Sequence, residues 1–582
     1  DDMADAIERL EAWPDTYRMR ARAEDLITSS SLGAQARVDW LTANGGPVTG
    51  EGHVALADAR RALGDTDGAK AALHAAWRGM TLDRDTERKV LGKYGDWLSQ
   101  DDHRARADFL LWTGQRSAAN RLKPRLTADW QRLVEARIAL AAGYRGVDAR
   151  IAAVPEDLQA HPGLLFDRAQ WRRKRGRQDS ATPLLTGIDG ANVPESGRNR
   201  LWDERHIALR DALEEKSYAT AYSLAEAHGL SSGVDFAQAE WLSGWIALRM
   251  KDDPSRAVAH FRRLDEGVST PISTSRAQYW RGRAHDAMGD AAPAQEAFAG
   301  AARFKYTYYG QLAAERIGDR SLAFAASPEP TEADRARFEA RPLVKVLRLL
   351  AEQGETGLFR KFAFHLDDRL ETEADYLLLQ ELAQEYKVED VGVRGAKEGL
   401  SRGIVAAEAA YPVVSYPLLR EPQVERSLML ALSRQESEMN PRAISHADAR
   451  GLMQFLPRTA QYEARRRGLP FRTSWLTDDP GYNMTIGGAH LDTLLDRFNG
   501  SYVMTAAAYN AGASRPRAWI RTFGDPRRGE IDTVDWIEMI PFAETRNYVQ
   551  RVLENTQVYR HRLAGAPVEI QLNEDLERGQ LR

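Results

Sequence analysis

A spacing pattern recurs in the first 330 or so residues and constrains the fold more than any other feature of the sequence. A glycine or aspartate is followed by alanine five residues later and by a large apolar residue nine residues later. The instances are Gly64/Ala69/Leu73, Asp102/Ala107/Leu111, Gly176/Ala181/Leu185, Asp252/Ala257/Phe261 and Gly289/Ala294/Phe298. From the second instance on, they start one or two units of about 37 residues apart, close to the period of helical-hairpin repeats. The pattern predicts a helix ended by a left-handed Gly or Asp, a close helix contact at the alanine, and a large residue between repeats.

The composition of the same region supports this prediction. It is dense in Ala, Leu and Arg, with aromatic residues at three- and four-residue spacings, which favours helices. We therefore predict an all-α solenoid of helical hairpins, which by itself indicates a scaffold or a binding surface. Trp241, Trp245, Tyr279 and Trp280 could line a ligand surface. Aromatic residues at helical spacing more often pack between repeats, so we assign them to the core.

Two interruptions predict domain boundaries. Small residues with two prolines at 325–330 break the helical pattern, and an extended connector at 411–417 holds Pro412 and Pro417. We predict an α-superhelical domain at 1–330, a helical linker domain at 331–407 and a last domain at 408–582.

Composition excludes several classes of function. The chain has no cysteine among 582 residues, which rules out thiol catalysis, Cys-ligated zinc and disulfides. Its 12 histidines form no pair at metal-ligand spacing, so we expect neither a metal nor a cofactor. A formal net charge of −4 gives no overall electrostatic reason to bind nucleic acid.

The sequence also bears on membranes and export. The longest apolar stretch, around Gly403–Leu419, is interrupted by Glu408 and two prolines, so we expect no transmembrane segment. The first residues show no basic region followed by an apolar core. If the protein is exported, we expect its signal peptide to be absent already from this chain.

Glu436 is the first candidate catalytic residue. The pattern predicts a helix over Glu421–Ser437, and Glu436 lies at its end. A carboxylate there loses hydration, and the negative end of the helix disfavours its ionised form, so its pKa should rise. That suits a general acid. The alternative is one more solvated glutamate at a helix end.

Four motifs follow one another in this region. They are Glu436-Ser437, GLMQ at 451–454, AYNAG at 508–512, and IPFAETRNYV at 540–549. This order over about 115 residues strongly resembles the catalytic domain of the soluble lytic transglycosylases, relatives of goose-type lysozyme. The segment Tyr308–Gly318 is similar to the one that closes the helical superhelix in the large members of that family.

The resemblance implies a fold and a function. The fold would be a ring-like superhelix, a small helical linker domain and a lysozyme-like α catalytic domain. The activity would be cleavage of the β-1,4 bond between N-acetylmuramic acid and N-acetylglucosamine, leaving a 1,6-anhydromuramoyl end. Glu436 would act first as acid and then as base, assisted by the substrate's own N-acetyl group.

The resemblance also assigns substrate-binding residues. These are Ser445, Met453, Gln454, Tyr509, Asn510 and Glu544. Each has a structural alternative, such as packing for Tyr509, backbone hydrogen bonds for Gln454 and Asn510, or an ion pair for Glu544. The remaining acidic residues nearby, Glu438, Asp448, Asp478 and Asp479, belong to no motif.

Two rival functions stay open at this point. One is a hydrolytic muramidase, and the other is a non-catalytic glycan-binding scaffold of helical repeats, although loss of the catalytic glutamate would be expected for the latter. The resemblance implies a periplasmic location and peptidoglycan strands as partner, with cell-wall synthases as further candidates. It leaves open exo or endo action, the preference for crosslinked strands, the requirement for peptide stems and the oligomeric state.

Overall fold

The protein is described by a computed structural model that covers residues 2–11 and 13–581. The chain divides into two compact units between Ile246 and Ala247. The described residues form 34 α-helices and one two-stranded sheet. The all-α fold class predicted from the sequence is confirmed.

Fifteen α-helices of the described residues lie before or across the division, which falls within the last of them. They are α1 (Asp2–Arg9), α2 (Thr16–Ile27), α3 (Ala34–Thr42), α4 (Gly50–Ala62), α5 (Thr66–Gly79), α6 (Arg84–Tyr94), α7 (Gln100–Trp112), α8 (Arg116–Leu122), α9 (Ala128–Ala142), α10 (Val147–Ala152), α11 (Pro162–Arg173), α12 (Gln178–Thr186), α13 (Glu195–Glu214), α14 (Tyr218–Glu226) and α15 (Gly233–Met250).

The second unit contains the remaining elements. They are α16 (Pro254–Glu266), α17 (Pro271–Met288), α18 (Ala291–Ala302), α19 (Tyr308–Arg316), β1 (Ser321–Leu322), α20 (Glu332–Ala340), α21 (Pro342–Glu352), α22 (Thr356–Leu366), α23 (Glu373–Glu385), α24 (Glu389–Ser401), α25 (Ala407–Ala410), α26 (Arg426–Ser437), α27 (Pro457–Arg466), α28 (Trp475–Asp478), α29 (Pro480–Arg497), α30 (Tyr502–Ala511), α31 (Ser514–Phe523), α32 (Thr533–Met539), α33 (Ala543–Ala564), β2 (Val568–Glu569) and α34 (Leu572–Glu577). β1 and β2 pair antiparallel, Ser321 opposite Glu569.

The predicted turns of the helical hairpins are present at four of the five positions. Gly64, Gly176, Asp252 and Gly289 have φ of 83°, 68°, 52° and 81°, and each separates two consecutive helices. The alanines and large apolar residues that follow them are buried. A left-handed residue and a small contact residue therefore build these hairpins as expected.

The prediction at Asp102 is wrong. Asp102 lies inside α7, where its carboxylate accepts a hydrogen bond from the Ser99 backbone N–H at 2.7 Å in a capping box. Aspartate at this position stabilises the beginning of a helix instead of ending one. The left-handed residue of this hairpin is Gly114 (φ 77°), between α7 and α8, and buried Ala119 follows it by five residues.

The aromatic residues assigned to the core are buried. Trp241, Trp245 and Trp280 are at most 1% exposed and Tyr279 is 6% exposed. Trp241 stacks on Trp245 with ring centroids 5.4 Å apart. The assignment of these residues to the core is confirmed.

The helix that carries Glu436 is shorter than predicted. It was expected from Glu421, but α26 begins at Arg426. The backbone N–H groups of Gln423 and Val424 donate to the Asp492 carboxylate at 3.1 and 2.9 Å. This long-range bond holds the preceding segment outside the helix, and no local pattern reveals it.

The long helix α33 organises the second unit, because it contacts α19, α26 and α30. Val549, Val552 and Leu553 on it are fully buried. Residues 331–407 form α20–α24 and the first residue of α25 in the same unit. The division into three domains at 330 and 407 stays a prediction.

Candidate active site

Glu436 lies one residue before the end of α26 and is half-buried. The Tyr548 hydroxyl on α33 donates a 2.6 Å hydrogen bond to its Oε1. Burial raises the pKa of Glu436 to about 7, the Tyr548 hydrogen bond opposes this rise, and the negative charge of Glu544 adds to it. A carboxyl group with a pKa near 7 can give up a proton and take one back close to neutral pH.

The end of α26 is fixed from two sides. The Ser437 hydroxyl donates to the Leu452 carbonyl at 2.8 Å, which ties the helix to the GLMQ loop. Glu438 and Met439 then turn the chain with φ of 51° and 62°. Lys397 of α24 forms an ion pair with Glu438 at 3.0 Å. Left-handed residues other than glycine persist only where their surroundings hold them, so the position of Glu436 is defined.

The GLMQ loop owes its shape to a glycine and an asparagine. Gly451 has φ 75°, and a Cβ added there would lie 1.9 Å from the Leu476 carbonyl oxygen. The buried Asn483 side chain accepts from the Met453 N–H at 2.9 Å and donates to the Arg450 and Leu476 carbonyls at 2.9 Å. Only glycine fits at the first motif position.

Tyr509 stands in the same site as Glu436. Its hydroxyl donates to the Met453 carbonyl at 2.7 Å, and its ring packs at 5.8 Å from Phe455 and 5.7 Å from His490. Burial, and then the charge of Glu436, hold the pKa of Tyr509 well above its usual value. The phenol therefore stays neutral beside the carboxylate.

Three predicted residues lie in the GLMQ loop and the turn before it. The side-chain amide of Gln454 donates to the Gly451 carbonyl at 2.8 Å. This is a backbone hydrogen bond of the kind expected if Gln454 has a structural role. The exposed Ser445 accepts from the Ala449 N–H at 3.0 Å. Met453 is fully buried against α29, so its side chain offers no surface to a ligand. Its contribution to the site is the carbonyl that orients Tyr509.

The last two predicted residues lie on α30 and α33. Asn510 accepts a 2.6 Å hydrogen bond from the Thr545 hydroxyl. Glu544 is exposed in the first turn of α33. The structure thus brings Glu436, Tyr509 and Glu544 into one electrostatic environment, with Asn510 next to Tyr509 in sequence.

Tyr548 was not among the predicted site residues, although it contacts Glu436 directly. A signal for it was available, because Tyr548 follows Glu544 by four residues in the last motif. Residues four apart share one face of a helix. If Glu544 lies in the site, Tyr548 is expected to face the site as well.

The acidic residues outside the motifs have structural partners. Glu438 pairs with Lys397, and Asp448 pairs with Arg450 at 2.8 Å. Asp479 caps α29 by accepting the Tyr482 N–H at 2.9 Å. Asp478 accepts a 3.3 Å hydrogen bond from Thr477.

Neither a metal-binding cluster nor a membrane-spanning helix occurs in the described part of the chain. Among residues 2–11 and 13–581, no group of three or more His, Asp or Glu side chains is arranged to hold a metal ion. In the same part of the chain, no helix combines the length and the apolar character that crossing a bilayer requires.

Comparison with known proteins gives a family match in this region. The transglycosylase SLT domain profile matches residues 418–531, which contain three of the four motifs named above, including the one with Glu436. The profile of the soluble lytic transglycosylase helical domain matches residues 539–567, which correspond largely to α33.

Sequence relatives carry related names. The chain is 28% identical over 265 residues to the soluble lytic murein transglycosylase of Escherichia coli K12. This aligned region covers 45% of this chain and 40% of the relative. It is 32% identical over 164 residues to the membrane-bound lytic murein transglycosylase C of Cronobacter sakazakii. That region covers 25% of this chain and 44% of the relative. The match thus spans less than half the length of either relative.

Solved structures match over almost the whole chain. The 70 kDa soluble lytic transglycosylase of E. coli has a TM-score of 0.60 and 20% identity, covering 100% of this chain and 91% of that one. An inactive glutamate-to-glutamine variant of lytic transglycosylase Slt from Pseudomonas aeruginosa has a TM-score of 0.62 and 21% identity, covering 97% and 90%. These likenesses establish the fold. The SLT and helical-domain matches, together with the relatives named lytic murein transglycosylases, confirm the predicted resemblance to the soluble lytic transglycosylase family.

Proposed function

We propose that this chain is a lytic transglycosylase of peptidoglycan. The observation that carries the proposal is the half-buried Glu436, whose pKa is raised to about 7 and whose Oε1 is held by Tyr548. It lies within the SLT match, in a chain whose relatives are named lytic murein transglycosylases. The bond cleaved is the β-1,4 link from N-acetylmuramic acid to N-acetylglucosamine.

The proposed reaction needs one carboxyl group that works twice. Glu436 gives its proton to the glycosidic oxygen as the bond from C1 of the muramoyl residue breaks, and the substrate's N-acetyl oxygen stabilises the positive charge at C1. The Glu436 carboxylate then takes the proton of the C6 hydroxyl, whose oxygen bonds to C1. The product ends in 1,6-anhydromuramic acid, no water is consumed, and Glu436 is protonated again.

The surroundings of Glu436 suit this double role. A group that serves as acid and as base in turn works best with a pKa near the ambient pH. Tyr548 fixes the carboxylate by a hydrogen bond to Oε1 alone. The motif-free acidic residues Glu438, Asp448 and Asp479 are committed to an ion pair or a helix cap. This supports a mechanism without a second catalytic carboxylate from that group.

We assign the remaining residues of the site to the substrate groove. Tyr509, Asn510 and Glu544 form the wall beside Glu436. Ser445 and Gln454 shape the GLMQ loop and the turn before it, and Met453 acts through its carbonyl. These assignments predict larger effects on catalysis for Tyr509 and Glu544 than for Ser445.

The proposed substrate sets the location and the partners. Peptidoglycan strands lie in the periplasm of a cell with an outer membrane, so we propose that the enzyme acts there. Cell-wall synthases, which supply new strands, are the proposed class of protein partner.

Mass spectrometry of the muropeptides released from purified sacculi tests the function. We expect products with 1,6-anhydromuramoyl ends, one water lighter than the reducing ends of a hydrolytic muramidase. Glu436→Gln should fold and release none, because the amide keeps the shape and removes the transferable proton. Glu438→Gln is the matched control and should retain most of the activity. Products with reducing ends would show that the enzyme is a hydrolytic muramidase. If Glu436→Gln released as many muropeptides as the unaltered protein, the proposed role of Glu436 would be refuted.

A further inference from the structure

An aromatic side chain stands exposed where α33 begins. Phe542 is the residue just before this helix, two residues before Glu544, and is 42% exposed. The buried Trp519 of α31 meets its ring edge-on, with centroids 5.6 Å apart. The ring is thus held by the core on one side and open to solvent on another. An aromatic ring exposed two residues before Glu544, whose charge acts on Glu436, is a candidate surface for contact with the substrate.

A cation accompanies this ring. The Arg515 guanidinium lies 5.0 Å from the centroid of Phe542. Arg515 is exposed, and within the described parts of the chain no carboxylate lies within 4.0 Å of it. A guanidinium near an aromatic ring loses rotational freedom but keeps N–H groups for a ligand. Arg515 is therefore prepared to bind an anion without first breaking an ion pair.

The pair has a defined place relative to the reaction. Arg515 and Trp519 are four residues apart on α31, so they share the helix face that meets Phe542. Phe542 leads directly into the turn of α33 that carries Glu544, whose charge acts on Glu436. A polymer held at Glu436 would extend past this surface.

We propose that Arg515 and Phe542 form a subsite that binds a carboxylate-bearing muramoyl residue of the strand, and this rests on the proposed function. Phe542 would contact the apolar face of a sugar ring, and Arg515 would bind the carboxylate by charge-assisted hydrogen bonds. That carboxylate has two sources. It belongs to the 3-O-lactyl group where the strand has lost its peptide, and to the peptide stem where the strand still carries one.

Binding to the Glu436→Gln protein tests the subsite without cleavage. The probes are an N-acetylglucosamine oligomer, peptide-free strands of alternating N-acetylglucosamine and N-acetylmuramic acid, and the same strands with peptide stems, measured by calorimetry. In this background Arg515→Ala should weaken binding of muramoyl strands by about 5–20-fold, as expected for a charge-assisted hydrogen bond at an exposed site. Binding of the N-acetylglucosamine oligomer should be unchanged.

Arg517→Ala is the matched control. Arg517 is also exposed on α31, but a step of two residues turns its side chain to the opposite side of the helix. Its removal should leave all three affinities unchanged. Phe542→Ala should weaken all three probes, because the sugar face is common to them. Circular dichroism spectra establish that each variant is folded.

The outcomes separate the sources and the hypotheses. If Arg515→Ala weakens binding of both kinds of muramoyl strand, Arg515 binds the lactyl carboxylate. If it weakens binding only of strands with peptide stems, Arg515 binds the peptide carboxylate. Either result supports the subsite. No loss with Arg515→Ala, or equal loss on the N-acetylglucosamine oligomer, overturns it. The proposed function fails separately, if the unaltered protein releases no anhydromuropeptides from sacculi.

Discussion

Replacing Tyr548 by Phe tests the electrostatic account of Glu436. The Tyr548 hydroxyl donates at 2.6 Å to Glu436 and so favours the ionised carboxylate. Burial and the Glu436 charge hold the pKa of Tyr548 well above its usual value, so it stays a neutral donor across the working pH range. Phenylalanine keeps the ring and removes only the donor. The pKa of Glu436, about 7 in the native site, should therefore rise further.

The size of the shift follows from the bond that is lost. A hydrogen bond to a charged group contributes roughly 1.5–3 kcal/mol, and about 1.4 kcal/mol corresponds to one pKa unit. Water admitted to a half-buried site would replace part of the interaction. We therefore expect a rise of about one unit.

The assay is the pH dependence of kcat/KM, whose alkaline limb reports the general acid of the free enzyme. The acid must be protonated to start the reaction, so activity falls as the pH passes its pKa. In Tyr548→Phe the limb should move to higher pH, by about one unit. Glu544→Gln is the counterpart, because it removes a negative charge that raises the pKa of Glu436. Its limb should move to lower pH by less than about one unit, since Glu544 is exposed and screened.

The opposite directions make the test demanding. A general loss of structure would lower activity at every pH and would not move the alkaline limb of either variant. Shifts of the same sign in both variants, or a limb that moves to lower pH in Tyr548→Phe, would refute the assignment of Tyr548 and Glu544 to opposing effects on Glu436.

Two predictions concern the architecture. Gly289→Ala should lower stability by about 1–2 kcal/mol, because φ of 81° strains an L-residue although its Cβ would meet nothing within 4 Å. Gly357→Ala, inside α22 with equally open space, should not destabilise; equal melting temperatures for the two variants would contradict a backbone origin. A fragment of residues 233–582 should melt cooperatively, whereas one of residues 403–582 should melt at lower temperature. Equal melting temperatures for the two fragments would show that α15–α24 do not support the site.

The sequence predicts best what neighbouring residues decide. The turns at Gly64, Gly176 and Gly289 were predictable because a positive φ and a buried alanine five residues later are local properties. The burial of Glu436 was predictable from its place at the end of an apolar helix. Asp102 misled the repeat pattern because aspartate also stabilises the beginning of a helix.

Contacts between residues distant in sequence were not predictable. The first turn of α26 depends on Asp492, nearly seventy residues further on, since its carboxylate accepts two N–H groups that would otherwise enter the helix. The role of Met453 depends on α29, which buries its side chain and leaves only its carbonyl for the site. A motif predicts which residues take part in a site, but the fold decides which atoms they present.

The helix α33 explains why the fragment beginning at Gly403 should be weaker. One side of it presents Tyr548 to Glu436, while Gln550 on another side donates a 2.8 Å hydrogen bond to Glu538. Glu538 is fully buried and also binds Tyr309 of α19 and Arg276 of α17.

A second contact of the same kind lies about one turn further along α33. The buried Glu554 accepts the Tyr308 N–H at 2.5 Å, so a carboxylate of α33 satisfies the N-terminus of α19. A chain that starts at Gly403 lacks α17 and α19, and both buried glutamates lose partners that offset their desolvation. The side of α33 opposite to the reaction would then be solvated and free to shift. The helices of 271–316 therefore belong to the structure that holds Tyr548 against Glu436, although every catalytic motif lies more than a hundred residues beyond them.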